Sequence, residues 1–467
     1  MSFLFSPKCQ VCSSVVLVLS LLSLAGCGGS QSSSGGGGGG GQQQVTVSIT
    51  GTPPSTIGAG ANWQYAATVT GTTNQSVTWT ATGGGTIDAN SGVYIAPNSV
   101  PNPPTVTITA ASQSDPTQAA STTLTVLAHD PLGSVVSYTQ FPGPNSCPTG
   151  GLPSGTCFQL AISCPGVADF SAYLKVYNPT GTLLGTVLFG VGTGGSGLYE
   201  DPNTGYADGS TTVGTILDAG FNTVQVSFGA PFDQGSTPRG WLTGPGGVRR
   251  LACRYATVAD WVYNHPTIIN PSVSATTSAP MCATGNSGGS AAIAYGVYEY
   301  GLDSELAMIE PTSGPVMSRI DQGCSPCSAS AQGDVCQGSS NNPNMCYESA
   351  DASIIDEAYQ GPGATSPTPC TDALNGNPGP GASNLFLSDS ILYAGAISVP
   401  NTIMNQLFAD DDTSNAVPQG TLWEGLVTPS SSSPSPRFAC LPGVQHDIPS
   451  YPSGASQIAT DIINYCH

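Results

Sequence analysis

Cysteine is distributed in a way that splits this chain before any motif is read. Twelve of its 15 cysteines lie between residues 147 and 466, while residues 45–127 hold no Cys, Lys, Arg or His. These twelve (147, 157, 164, 253, 282, 324, 327, 336, 346, 370, 440 and 466) form an even set that predicts up to six disulfides in an oxidising compartment. Their connectivity is not legible. Cys324 and Cys327 have metal or redox spacing, but no histidine lies near them, so structural pairing is expected.

Export is expected from the N-terminus as well. Lys8 precedes an apolar run from Val15 to Leu24, which has the length of a signal-peptide core and is too short to span a bilayer. Leu24-Ala25-Gly26-Cys27 then resembles a bacterial lipobox. The resemblance implies removal of residues 1–26, lipidation of Cys27 and a membrane anchor, with display at the outer membrane or cell surface. Residues 27–44 include seven consecutive glycines, Gly35 to Gly41. They read as a flexible tether with a span of about 20–25 Å.

Charge excludes some functions. Eight Lys and Arg stand against 28 Asp and Glu, a net charge of −20. Nucleic acid is therefore not an expected partner, because phosphate neutralisation needs clustered cations. The 60 Gly and 39 Pro could signal disorder, but 39% of the chain is hydrophobic, enough for folded cores.

Residues 45–127 carry short β-type runs, such as Trp63 to Val69, Val77 to Ala81 and Thr105 to Ala110, separated by Gly-, Pro- and Asn-rich turns. This spacing predicts an all-β antiparallel sandwich. Val77-Thr78-Trp79-Thr80 and Gly92-Val93-Tyr94 are similar to bacterial Ig-like domains. A spacer or weak binding module is expected, with Trp79 in its core. Carbohydrate stacking by Trp63 or Trp79 is the other reading.

From about residue 128 to 467, β-type runs alternate with helical ones. The pattern predicts a mostly parallel sheet with helices on both faces. Met281 to Thr284 runs into Gly285-Asn286-Ser287-Gly288-Gly289, and a small-residue helix follows. Gly-x-Ser-x-Gly between strand and helix is the pattern of a sharp turn that lifts a serine hydroxyl above a sheet. With this context, residues 135–467 resemble the α/β-hydrolase esterase superfamily. The multidomain fold implied is an Ig-like sandwich followed by an α/β-hydrolase domain.

That resemblance implies a nucleophile, Ser287, and later an acid and a histidine. Of the four histidines only His446 lies in a loop after a late β-type run and before the last helix. Asp412, in Asp410-Asp411-Asp412-Thr413 with Val417-Pro418 beyond, is the expected acid, with Asp411 and Glu310 as alternatives. The oxyanion donors implied are the amide of Gly288 and one from the Gly192–Gly195 loop, Thr193 or Gly194. A cap insertion over the site is expected at about 320–385, where five cysteines crowd a Gly/Pro-rich stretch. The implied activity is ester hydrolysis through an acyl-enzyme, on an ester substrate that includes polymers in its range, and it requires no metal or cofactor. An amidase or peptidase of the same fold, or a non-catalytic surface adhesin using the Ig-like module, are the alternatives.

Overall fold

The computed structural model describes residues 44–143, 147–148, 150–153, 155–229, 239–274, 279–327, 336, 344–361, 364 and 366–467. The signal segment, Cys27 and the glycine tract lie outside the described residues. Among the described residues no helix is long and apolar enough to cross a membrane.

The cysteine-free segment forms three small sheets. Strands Thr56–Gly58, Ala119–Leu127, Thr105–Ser112 and Val77–Thr82 make a four-stranded sheet. Asn62–Gln64, Val93–Ile95 and Thr86–Ile87 make a second, and Thr46–Thr50 pairs with Ala66–Thr70. Alternation along Thr105–Ser112 sends Val106, Ile108 and Ala110 inward, where they meet Tyr65, Trp79 and Tyr94 in one core. Trp79 is 3% exposed, so it presents no ring face to a ligand. Trp63 is half-buried at the edge of this core.

The rest is organised by a ten-stranded sheet. Its strands are β1 (Ser134–Gln140), β2 (Thr156–Ser163), β3 (Phe170–Tyr177), β4 (Gly185–Gly190), β5 (Phe221–Ser227), β6 (Met281–Asn286), β7 (Leu306–Thr312), β8 (Ile403–Met404), β9 (Gln406–Ala409) and β10 (Phe438–Leu441). Their spatial order is 1-2-3-5-4-6-7-9-10, with β8 beside β7. β1, β2, β3 and β5 pair antiparallel in succession, and the pairings from β5 through β4, β6, β7 and β9 to β10 are parallel. The sheet is thus mixed, with its parallel half at the centre of the site described below.

Helices cover both faces, and the central strands show why. On β4, Val187 and Phe189 enter a core with Val213 of α1 (Gly209–Asp218) and with Ile458 and Ile462 at the C-terminal end of the chain. Leu188 points the other way, into a core with Val258 of α2 (Cys253–Asn264) and Ile293 of α3 (Gly288–Tyr298). A strand buried on both faces has no need for alternating polar residues, which explains the continuous apolar runs.

All twelve cysteines that the sequence left unpaired form six disulfides: 147–157, 164–253, 282–466, 324–370, 327–346 and 336–440. Two of them, Cys324–Cys370 and Cys327–Cys346, close loops within the segment between β7 and β8. Cys336–Cys440 ties that segment to β10. The segment's helices include α4 (Ser349–Ala358) and α5 (Ala382–Asp389). The last helix, α6 (Pro452–Tyr465), is held to β6 by Cys282–Cys466.

Candidate active site

Ser287 occupies the junction of β6 and α3 with φ 55° and ψ −118°, a conformation that few non-glycine residues adopt. Its neighbours explain how the turn closes. A Cβ on Gly288 would sit 1.8 Å from the Thr193 carbonyl oxygen, and one on Gly289 would sit 2.8 Å from the Gly190 and Val191 carbonyls. The helix after Ser287 therefore lies against the loop after β4, and side chains at these two positions would push it away. Only three non-glycine residues described have positive φ, and Ser287, Thr193 and Ser313 are all at strand ends of this region.

Asp412 and His446 meet beside this turn. His446 Nδ1 lies 2.8 Å from Asp412 Oδ2, with Asp412 1% and His446 34% exposed at the side chain. Burial alone raises the Asp412 pKa. The hydrogen bond and charge of His446, with hydrogen bonds from Ser414, outweigh burial and hold the carboxyl below its ordinary value. Burial likewise lowers the His446 pKa. The Asp412 hydrogen bond and charge, with Asp447 and Asp351, outweigh it and raise the imidazole above its ordinary value. A carboxylate on Nδ1 leaves the Nε2 nitrogen as the one available for proton exchange with a substrate or nucleophile.

Ser287, Gly288, Thr193 and His446 line one pocket of about 220 Å³. Its far wall is apolar, with Leu242, Val316, Met317, Ile354 and Ile355, and Glu348 and Asp351 add carboxylates. Asp351, Ile354 and Ile355 belong to α4, so the disulfide-stapled segment between β7 and β8 walls the pocket on one side. Among the described residues no Lys or Arg lines it.

The alternatives fall elsewhere. Asp411 is exposed, with its backbone amide bonded to the Val444 carbonyl. Glu310, on β7, is fully buried. Burial, and the Asp461 carboxyl it faces on α6, push its pKa well up. Glu310 thus points from one face of the sheet towards α6, whereas Asp412 is the carboxyl bonded to His446. Of the two oxyanion candidates in the glycine loop, Thr193 lines the pocket, whereas Gly194 packs on the Arg239 and Gly240 backbone, where an added Cβ would lie 1.7 Å from the Arg239 carbonyl. His129 and His265 turn Nδ1 to the backbone carbonyls of Tyr298 and Trp261. Among the described residues no group of three or more His, Cys, Asp or Glu is arranged to hold a metal ion.

Sequence reasoning missed several supporting groups. Ser414 Oγ lies 3.1 Å from His446 Nδ1, and its amide donates to Asp412 Oδ1 at 2.8 Å. Tyr206 hydroxyl accepts the Gly192 amide at 2.8 Å and so fixes the loop that carries Thr193. Ser313 Oγ and Asn286 Nδ2 both donate to the His446 carbonyl oxygen. Asn286 falls within the Gly-x-Ser-x-Gly motif, and its side chain acts on a residue 160 positions later. No local pattern marks such a contact.

No family model matches the chain, and no curated protein matches it. Solved structures do resemble it at low identity. A thermostable carboxyl esterase from Bacillus coagulans is 13% identical, with a TM-score of 0.38, over 66% of this chain and 97% of that one. A putative hydrolase from Agrobacterium vitis is 12% identical, with a TM-score of 0.39, over 66% and 98%. Est1E from Butyrivibrio proteoclasticus is 10% identical, with a TM-score of 0.34, over 66% and 96%. These likenesses are weak, and the functional reading rests on the geometry of the site itself.

Proposed function

We propose that the chain is a serine hydrolase of the α/β-hydrolase type that cleaves carboxylic esters through an acyl-enzyme. The observation that carries this reading is the Asp412–His446 hydrogen bond at the pocket where Ser287 stands on its strained turn. Ser287 Oγ attacks the ester carbonyl while His446 Nε2 takes its proton. The tetrahedral intermediate breaks its C–O bond to the leaving alcohol, which receives that proton. Water then repeats the sequence on the Ser287 ester and releases the acid. Asp412 holds the imidazole in the required tautomer and stabilises its cation. The amides of Gly288 and Thr193 serve as donors to the oxyanion.

The pocket disfavours an anionic acyl or alcohol group, because its charged lining residues, apart from the imidazole, are the carboxylates Glu348 and Asp351. A fluorophosphonate probe and nitrophenyl esters test the reaction, beside Ser287→Ala and the matching nitroanilides. Absence of both labelling and ester turnover in the parent protein would overturn it. Faster anilide than ester turnover would favour the amidase alternative.

Export and anchoring belong to the same proposal. The six disulfides fit an oxidising compartment, and the Cys27 context fits lipidation with display at the outer membrane or cell surface. Residues 45–127 then act as an Ig-like spacer above the tether. Cys27→Ala should release the protein from membranes, and unchanged membrane association would count against the anchor.

A further inference from the structure

Residues 58–63 of the cysteine-free part are built into the rest of the chain rather than strung beside it. Asn62 and Asp389 are both buried. Asn62 Nδ2 donates to Asp389 Oδ1 at 2.6 Å and to Ser388 Oγ at 2.9 Å, at the end of α5. The Tyr393 hydroxyl and Arg249 Nη2 each donate to the Ala59 carbonyl at 2.8 Å. Asp130 Oδ1 accepts the Gly58 amide at 3.1 Å. Gly60 has φ 73°, and a Cβ there would sit 1.8 Å from the Tyr393 ring, so the two surfaces meet with no room for a side chain. Opening this contact would strip buried polar groups of their partners, which makes it a fixed joint and not a hinge.

What Asn62 holds is itself attached to the pocket beside Ser287. Just past Asp389, the amides of Ile391 and Leu392 donate to the carbonyls of Met317 and Ser318 at 3.2 and 3.0 Å. Met317 belongs to the apolar wall of the pocket. A second relay starts at the Asn62 carbonyl, which accepts from Arg250 Nη2. Arg250 Nη1 donates to the Gly246 carbonyl at 2.7 Å. The Gly246 and Gly247 amides then donate to the Ala358 carbonyl at 3.0 and 2.7 Å. Ala358 ends α4, the helix that brings Asp351, Ile354 and Ile355 to the pocket. The Asp389 carbonyl also accepts from the Tyr295 hydroxyl of α3, the helix that follows Ser287. A spacer needs none of these connections, whereas contiguous hydrogen-bonded and packed groups are what carry coupling between separated places.

We propose that residues 45–127 are a fixed buttress of the active-site pocket, with Asn62 as a positioning residue that sets where Met317 and α4 stand and so how an acyl group fits. Asn62 does not line the pocket and acts only through those elements. The kinetic readout of this proposal rests on the ester-hydrolase reading, and the exchange readout does not.

Hydrogen exchange and steady-state kinetics of the full chain test it, with Asn62→Ala, Tyr393→Phe and Val106→Ala. Val106 lies in the core of the sandwich, so its variant lowers stability without touching the joint. Asn62→Ala should speed exchange at the Gly246, Gly247, Ile391 and Leu392 amides by about 10-fold. It should raise KM for nitrophenyl hexanoate by about 3- to 10-fold, with kcat and the KM for nitrophenyl acetate little changed. Acetate offers the wall a single methyl, whereas hexanoate lays a pentyl chain against it. Tyr393→Phe loses one bond of the same joint and should move both readouts in the same direction by less, which keeps the test in force should Asn62→Ala fail to fold. Val106→Ala should lower the thermal midpoint and leave both readouts unchanged.

Three outcomes would overturn the proposal: exchange at these amides unchanged in both joint variants, hexanoate KM unchanged in both, or an equal rise in KM for Val106→Ala. A parent protein without ester turnover would sink the hydrolase reading alone, because exchange still reports on the joint.

Discussion

Ser313 Oγ donates to the backbone carbonyl of His446 at 2.6 Å. Ser313 follows β7 with φ 44°, and its own amide bonds to the Leu407 carbonyl of β9. Asn286, at the end of β6, donates to the same His446 oxygen at 3.2 Å. The loop carrying the imidazole is thus pinned by side chains from two adjacent strand ends, one of them next to Ser287.

Removing one pin should loosen the imidazole without removing it. Ser313→Ala and Ser313→Gly should each lower kcat by about 3- to 10-fold, the worth of a typical hydrogen bond, with KM little changed. The Gly variant separates the hydroxyl from the backbone strain, since glycine adopts φ 44° freely. Equal rates for Ser313→Gly and the parent would show that the hydroxyl does not position His446.

Asp412→Asn should cut kcat/KM by about 10⁴-fold, because an amide stabilises the wrong imidazole tautomer and not its cation. Its pH profile is the sharper readout. His446 works as a base only when neutral, so activity rises with pH through its pKa. In the parent that pKa is raised, which puts the acidic limb above the ordinary imidazole value. Without the carboxylate the burial effect remains and the limb should move to lower pH. Stopped-flow or steady-state profiles of residual activity check this.

Gly288→Ala should remove activity by about 10²- to 10³-fold, the loss seen when an oxyanion donor is displaced. The added methyl would meet the Thr193 carbonyl, which is rigid backbone, so the loop after β4 has to shift. Fluorophosphonate labelling slowed in parallel, with a folded circular-dichroism spectrum, is the expected pair of observations.

Glu310→Gln should stabilise the protein at neutral and alkaline pH. The Glu310 pKa is raised on folding by burial, so above the unfolded carboxyl value the native state binds more protons than the unfolded state. Stability contributed by that proton is present below the unfolded pKa and is lost as pH rises towards the folded one. The variant should melt near the parent at pH 4 and above it at pH 8. A lower melting temperature at pH 8 would instead give the ionised carboxylate a stabilising role.

Much of the candidate site is legible in the chain because it depends on local backbone. Gly285 to Gly289 is a turn written in residues without side chains, and apolar β6 and small-residue α3 flank it. His446 stood out by elimination among four histidines. The rest was hidden because its partners are far apart in sequence. Only the family resemblance, through Thr413 and Val417-Pro418, favours Asp412 over Asp411 in the sequence; in the structure one side chain is buried against His446 and the other faces water. Thr193 and Gly194 are likewise adjacent; Thr193 lines the pocket, and Gly194 packs on the Arg239 and Gly240 backbone.

The sequence by itself determined the alternation of elements, the turn at Ser287 and the number of cysteines to be paired, since these follow from periodicity, steric size and counting. Tertiary structure alone decided which cysteines pair and which side chains hold the His446 carbonyl. Those outcomes depend on which groups converge when β7, β9 and β10 are laid side by side and the stapled segment closes over them. Hydrogen bonds and disulfides act over a few ångströms, and distances of that size exist between residues 160 positions apart only once the sheet has formed.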